Sequence, residues 1–293
     1  MMNIILQNIV SGLLVGGVYG LAALGLSLAF GVLKVLNIAH GELIMFGGYI
    51  AFFAFSAIGV DPFLSILIVF PVLVIFGLVL HGTLFTHIVR FEEEDRIKNS
   101  LLIGFGLTLI LQTIAIQLFS ADERSILTAY SSAGFELGGI RFPLIRLGAL
   151  LLAIVSVVLL EIFLNRTWAG RALRATSENW QTAALNGINV RQTYFIAFGL
   201  AAGLAGLTGV LLATGFSVAP SIGLQWTLKA LIVVVLAGLG SIRGALFGGL
   251  LLGVAEALSA YAFGSEYREI IGLIMFVIVL SVRPQGLFGG DHA

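Results

Sequence analysis

The sequence contains no cysteine, which removes disulfides and thiolate metal sites from consideration, and its four scattered histidines offer no metal centre. Charge is scarce as well. Fifteen Lys and Arg and fifteen Asp and Glu make up 10% of 293 residues, against roughly 25% in an ordinary soluble domain. Thirty charges cannot cover a globule of this size, so most of its exterior must face lipid. No Lys or Arg precedes the first apolar run at Asn3, so the basic region of a signal peptide is missing and that run is expected to remain as a membrane segment. Enzyme motifs are missing too: there is no G-x-x-x-x-G-K-[ST], no H-E-x-x-H and no G-x-S-x-G.

What remains is apolar and rich in small residues, with 59% hydrophobic residues and 37 glycines. Continuous apolar runs, rather than alternating ten-residue segments, exclude a β-barrel and predict an all-α, polytopic transmembrane helical bundle. The runs lie at 9–33, 41–58, 63–89, 99–119, 143–165, 193–215, 226–240, 243–262 and 267–282. The first is long enough to be two short helices broken near Gly16, Gly17 and Gly20, and the seventh is short. About eight to ten segments are therefore expected, some broken or re-entrant. The polar interruptions 120–142 and 166–191 are too small to be domains, leaving one transmembrane domain over 1–293.

Basic residues orient the chain. With 166–191 inside, Lys34, Arg90, Arg96, Lys98, Arg166, Arg171, Arg174, Arg191, Arg243 and Arg283 share the cytoplasmic side. Arg124, Arg141, Arg146 and Arg268 fall outside, with Lys229 at the outer end of a segment. The C-terminus is then cytoplasmic, and the N-terminus is external if the first run crosses once and internal if it breaks into two spans. Glycines at helical spacing (Gly12, Gly16 and Gly20; Gly199 and Gly203; Gly240, Gly244 and Gly248; Gly249 and Gly253) form flat strips for close helix packing.

Residues 171–186 read as one cytoplasmic amphipathic helix, with Arg171, Arg174 and Glu178 on one face and Gly187 as its stop. It is either a knob for a partner's groove or an interfacial helix anchored by Trp168 and Trp180. Asn37, His40 and Glu42 either cap a helix end and bind one another, or line a permeation path or its gate. Glu256, deep in an apolar run, and Glu161, near the end of another, are expected to face a bundle interior or a watery cavity; Glu256 either makes a structural hydrogen bond or lines the translocation path or its gate. External segments at Asp61-Pro62, 120–142 and 219–223 are candidates for contact with a further protein.

Three stretches carry a family resemblance. Gly170 to Ala213, GRALRATSENWQTAALNGINVRQTYFIAFGLAAGLAGLTGVLLA, resembles the cytoplasmic-loop signature of permeases in the branched-chain amino-acid ABC importers, the LivH type. Gly16 to Tyr49 resembles that family's opening motif, and Gly238 to Gly289, with GLGSIRGALFGG and RPQGLFG, its closing region. Arg243 departs from the small residue or proline usual there.

The resemblance implies a non-catalytic subunit of the bacterial inner membrane, working by alternating access for amino acids or related small polar solutes such as amides or urea. It also implies a second related permease, two ATPase subunits that use ATP and Mg, and a periplasmic or extracellular substrate-binding protein. This chain would bind no cofactor or metal and no nucleic acid, and its remaining partner would be membrane lipid. Arg171, Arg174, Glu178 and Gly187 would belong to the coupling helix that docks on the ATPase. The alternatives are a stand-alone ion-coupled transporter, with Glu256 or His40 carrying a proton, and an intramembrane enzyme, against which the lack of a paired Ser/His or Asp/Asp set argues.

Overall fold

The computed structural model describes residues 2–89 and 91–289; Arg90, assigned above to the cytoplasmic side, lies outside the described residues. All nine apolar runs form helices. They are α1 (Met2–Leu33), α2 (His40–Ile58), α3 (Ile66–Ile88), α4 (Glu93–Phe119), α5 (Leu144–Arg166), α8 (Val190–Gly215), α9 (Ile222–Ala237), α10 (Ile242–Phe263) and α11 (Arg268–Val282). Between α5 and α8 lie the short α6 (Trp168–Glu178) and α7 (Trp180–Leu185). Seven of these helices are long and apolar enough to cross a membrane, while α9 and α11, at 16 and 15 residues, are shorter. Among the described residues the sole paired strands are a hairpin in the 120–142 interruption, β1 (Gly134–Leu137) and β2 (Ile140–Pro143). Its two-residue turn, Gly138-Gly139, needs positive φ at both positions, here 62° and 79°.

Burial separates the helices into a centre and a rim. The most apolar windows of α1 and α8 are 94% and 83% buried, whereas those of α3, α4, α5 and α10 are 28–33% buried, so the latter present their outer faces to lipid or to partners. A helix that is apolar all round has to be enclosed, and α1 is enclosed by α5, α8, α9 and α10.

The first run is not broken at its glycines: α1 is one helix, because Gly12, Gly16 and Gly20 line the face that meets Gly249 and Gly253 of α10 and are satisfied by packing. A Cβ on Gly249 would sit 2.3 Å from Gly20 N, and one on Gly253 would sit 2.3 Å from the Gly12 carbonyl oxygen. Glycine costs each helix about 0.5–1 kcal/mol per position relative to alanine. The strip offsets that cost by letting the two backbones touch.

The break comes instead at 34–39, starting at Lys34 with φ of 53°. Here the chain leaves the end of α1 and turns back into the bundle. His40, the first residue of α2, bonds the Ala22 carbonyl, eleven residues before the end of α1 and thus roughly 16 Å along its axis. Six extended residues reach about 20 Å, enough for that climb.

A second six-residue break, 216–221, returns from the end of α8 to α9. The parts correspond: α1 packs along α10 as α8 packs along α3, and α2 lies on α8 as α9 lies on α1. Gly20-Leu-Ala-Ala in α1 and Gly199-Leu-Ala-Ala in α8 repeat the same tetrapeptide. Since α1 and α8 cross in opposite senses, the two trios form an inverted repeat.

Basic residues collect at one end. Arg96 of α4 donates to the Leu33 carbonyl at the close of α1, and Leu287 and Phe288 bond the last turn of α9 through the carbonyls of Leu236 and Ala237. Because α1 crosses once, the N-terminus lies at the end opposite these cations, which the positive-inside rule makes external.

A valine at Gly249 is expected to lower the melting temperature in detergent sharply, by about 3 kcal/mol or more of stability, since backbone blocks it on both sides. Alanine at Gly106, where a Cβ meets nothing within 4 Å, should leave it unchanged or raise it. Equal melting of the two variants in a thermal scan would contradict the α1–α10 packing.

Candidate functional site

The 166–191 segment, expected on the cytoplasmic side, is two helices rather than one. Three side-chain caps impose the division: Thr167 Oγ1 accepts from Gly170 N at 2.9 Å, Asn179 Oδ1 from Thr182 N at 2.8 Å and Asn189 Oδ1 from Gln192 N at 3.1 Å. Asn179, extended at φ −155°, ends α6 and starts α7 in a single residue. Gly187, at φ 81°, terminates α7 as its position in the sequence predicts.

Helix α6 is pressed inward on Gly170, Ala172, Leu173 and Thr176, and a Cβ on Gly170 would lie 2.1 Å from the Phe163 carbonyl oxygen. Arg171 and Glu178 are exposed, and Arg174, also exposed, donates to Asn165 at the end of α5. Beyond them α7 holds Leu185 with 88% of its surface exposed, and Trp168 and Trp180 are exposed as well. An apolar tip on a rigid, capped pair of helices is suited to a partner's pocket.

Asn37, His40 and Glu42 are 1–3% exposed; His40 N donates to the Asn37 carbonyl at 3.2 Å, but among the described residues their side chains do not bind one another. Asn37 Oδ1 accepts from Ala39 N at 3.1 Å and closes the turn before α2. His40 Nε2 donates to the Ala22 carbonyl at 3.0 Å, its ring lodged where a Cβ on Gly25 would fall 2.8 Å away. Glu42 lies against Gly223, in the first turn of α9, where an acidic group complements the positive end of the helix. Its Oε2 has no hydrogen-bond partner among the described residues.

Here α2 and α9 cross. A Cβ on Gly41 would be 1.8 Å from the Gly223 carbonyl oxygen, and Thr227 Oγ1 ties α9 to the first break and the start of α2 by accepting from Gly41 N and donating to the Ile38 carbonyl, at 2.8 and 2.7 Å. The segment 219–223, expected as an external loop, therefore lies inside the bundle, with Ala219, Pro220 and Gly223 buried.

Glu256 is 1% exposed and gathers partners from three other elements. Tyr19 donates to its Oε2 at 2.8 Å, Lys229 to Oε1 at 2.7 Å and Arg268 to Oε2 at 3.2 Å. Lys229 thus sits two turns inside α9 rather than at its outer end, with its ammonium 5.2 Å from the Tyr19 ring centroid. A lone lysine inside an apolar run is the signal for this partner, but Lys229 and Glu256 are 27 residues apart, and Glu256 and Arg268 another 12. At the cytoplasmic end, Arg243 grips Glu161 through Nε and through Nη2 at 3.1 Å, which gives both charges a role in joining α10 to α5. A cleft of about 420 Å³ opens beside this pair, among Ser27, Asn165, Arg174 and Ser241.

Outside the membrane, Tyr130 donates to Asp61 Oδ2 at 2.6 Å, tying two of the external segments together, and burial with the Asp61 carboxylate pushes the Tyr130 hydroxyl up to about 12.

Residues 8–280 match the model of a family described as the permease component of branched-chain amino acid transport systems. The chain is 31% identical to the high-affinity branched-chain amino acid transport system permease BraD of Pseudomonas aeruginosa, over 97% of this chain and 95% of that protein. It is 29% identical to LivH of Escherichia coli K12 over the same shares, and 30% identical to a probable LivH of Methanocaldococcus jannaschii over 92% and 88%. Among solved structures, PsaBC of Streptococcus pneumoniae in complex with Fab aligns over 94% of this chain and 91% of that one, at 14% identity and a TM-score of 0.49. With its membrane helices and near full-length relatives, the chain belongs to the family of branched-chain amino acid transport permeases.

Proposed function

We propose that this chain is one half of the membrane passage of an ATP-driven importer for branched-chain amino acids, seated in the bacterial inner membrane and carrying out no bond chemistry itself. Family membership supports this assignment, and the capped α6–α7 pair with its exposed Leu185 is the observation that carries the mechanism. A second, related permease completes the passage, two ATPase subunits bind ATP and Mg, and a substrate-binding protein delivers the solute from outside.

The lever runs through named contacts. Arg171, Arg174, Glu178 and Gly187 shape or flank the docking helices, and Arg174 and Gly170 hold α6 to the end of α5. Arg243 and Glu161 join α5 to the start of α10, and the glycine strip joins α10 to α1. A displacement of α6–α7 when the ATPases close is carried by these rigid elements to the bundle centre, where two packings of the helices expose the passage to opposite sides.

The passage itself runs along the exposed face of α9. Ser221 and Gln225 are exposed beside the α2–α9 crossing, and Lys229 continues the same helical face. Polar side chains at membrane depth are costly on a lipid-facing surface and ordinary on a watery one. Asn37, His40 and Glu42 brace the crossing behind this face, and Glu256 holds Lys229 in place along it. Their burial in this conformation makes them parts of the gate's frame.

Three outcomes test this reading. Reversing Arg174→Glu and Glu178→Lys together should leave the permease folded but abolish uptake or separate it from ATP hydrolysis in proteoliposomes; normal uptake and assembly would sink the docking assignment. Because the chain lacks cysteine, Gln225→Cys provides a single reactive site, and a thiol reagent should block uptake by that variant alone. Insensitivity to the reagent would move the passage elsewhere. Glu256→Gln should cost about 2 kcal/mol, less than for a fully enclosed pair because Arg268 reaches solvent, with partial recovery on adding Lys229→Met; melting curves of the single and double variants read this directly.

A further inference from the structure

A cleft of about 490 Å³ lies at the cytoplasmic end between α4 and α6, lined by Lys34, Glu92, Glu93, Arg96, Thr176 and Glu178. Its charges are unequally committed. Arg96 is 4% exposed and donates through Nη1 and Nη2 to the carbonyls of Leu33 and Phe91, at 3.0 and 3.1 Å. The Lys34 ammonium stands 5.7 Å from the Phe30 ring centroid, and neighbouring Glu94 is paired with Lys98. Among the described residues, Glu92, Glu93 and Glu178 have no ion-pair partner.

Thr176 adds an independent observation. Threonine in a helix ordinarily donates to the carbonyl four residues back, as Thr108, Thr208 and Thr214 do in this chain. Thr176, although 3% exposed, has no partner for Oγ1 among the described residues. A buried hydroxyl left unpaired is costly, so an arriving group that satisfies it is favoured.

We propose that this cleft receives a basic side chain of the docked ATPase subunit, forming a second anchor next to α6 and α7. The inference rests on the docking role given to those helices. A lysine ammonium brings three donors and a guanidinium five, enough to serve Thr176 Oγ1 and two of the three carboxylates together. The carboxylates disfavour an anionic lipid surface, and the cleft is continuous with Asn179 and Trp180, where α6 gives way to α7.

The test uses the permease in nanodiscs with its purified ATPase. Glu92→Gln with Glu93→Gln should weaken ATPase binding about tenfold and flatten its salt dependence. Thr176→Val should also weaken binding while leaving the melting temperature of the isolated permease unchanged, which a purely structural role would not do. Leu185→Glu separates the two readings: if it abolishes binding while the Gln pair and Thr176→Val bind as wild type, the anchor is overturned and the docking helices stand. If none of the variants changes binding, both fall. A carbodiimide cross-link from these carboxylates to an ATPase lysine supports the anchor, whereas one to phosphatidylethanolamine instead would give the cleft to lipid and overturn it.

Discussion

Backbone touching backbone, without room for a side chain between, is the constraint on which the rest of this structure depends. It operates twice. Along α1 and α10 it runs for several turns, from Gly12 to Gly20 on one helix and Gly253 to Gly249 on the other. Between α2 and α9 it is a single point, Gly41 against Gly223. In lipid, apolar side chains gain little by leaving their surroundings for one another, so association relies on close fit and on hydrogen bonds. The glycines supply the fit, and Thr227, joining α9 to the first break and the start of α2, supplies bonds at the crossing.

That crossing is possible because two helices, α2 and α9, begin inside the bundle. The breaks at 34–39 and 216–221 carry the chain back into the bundle, where backbone polar groups can be tolerated only if protein encloses them. Asn37, His40 and Thr227 do this work locally: a turn closed by Asn37, a carbonyl of α1 taken by His40, and a carbonyl and an amide taken by Thr227.

The few charges divide between two tasks. Glu256 with Lys229 and Arg268, and Glu161 with Arg243, join helices distant in sequence, and each pair lies where one helix must keep its rotation relative to another. Most of the remaining cations and the acidic start of α4 stand at the end beside α6 and α7, while Arg124, Arg141 and Arg146 belong to the opposite end. Zero net charge is thus a balance between internal fastening and an end patterned for a partner.

The sequence by itself determined the membrane as solvent, the nine helical runs, the side on which the cations collect, and the cytoplasmic segment with its Gly187 stop. These follow from composition and from periodicities within a single segment, where neighbours in sequence are neighbours in space. Tertiary structure decided what depends on the apposition of distant segments. Gly16 and Gly20 look the same in sequence whether they break a helix or face another, and only α10 alongside α1 settles which. Glu256 reads as isolated until α9 and α11 bring Lys229 and Arg268 to it, and Lys34 reads as a loop residue until Arg96 seals the carbonyl before it and the chain turns inward. Asn179 is the intermediate case: its capping chemistry is local and legible, but the continuous face of Arg171, Arg174 and Glu178 conceals it, and the break is evident only once α6 is held down on α5.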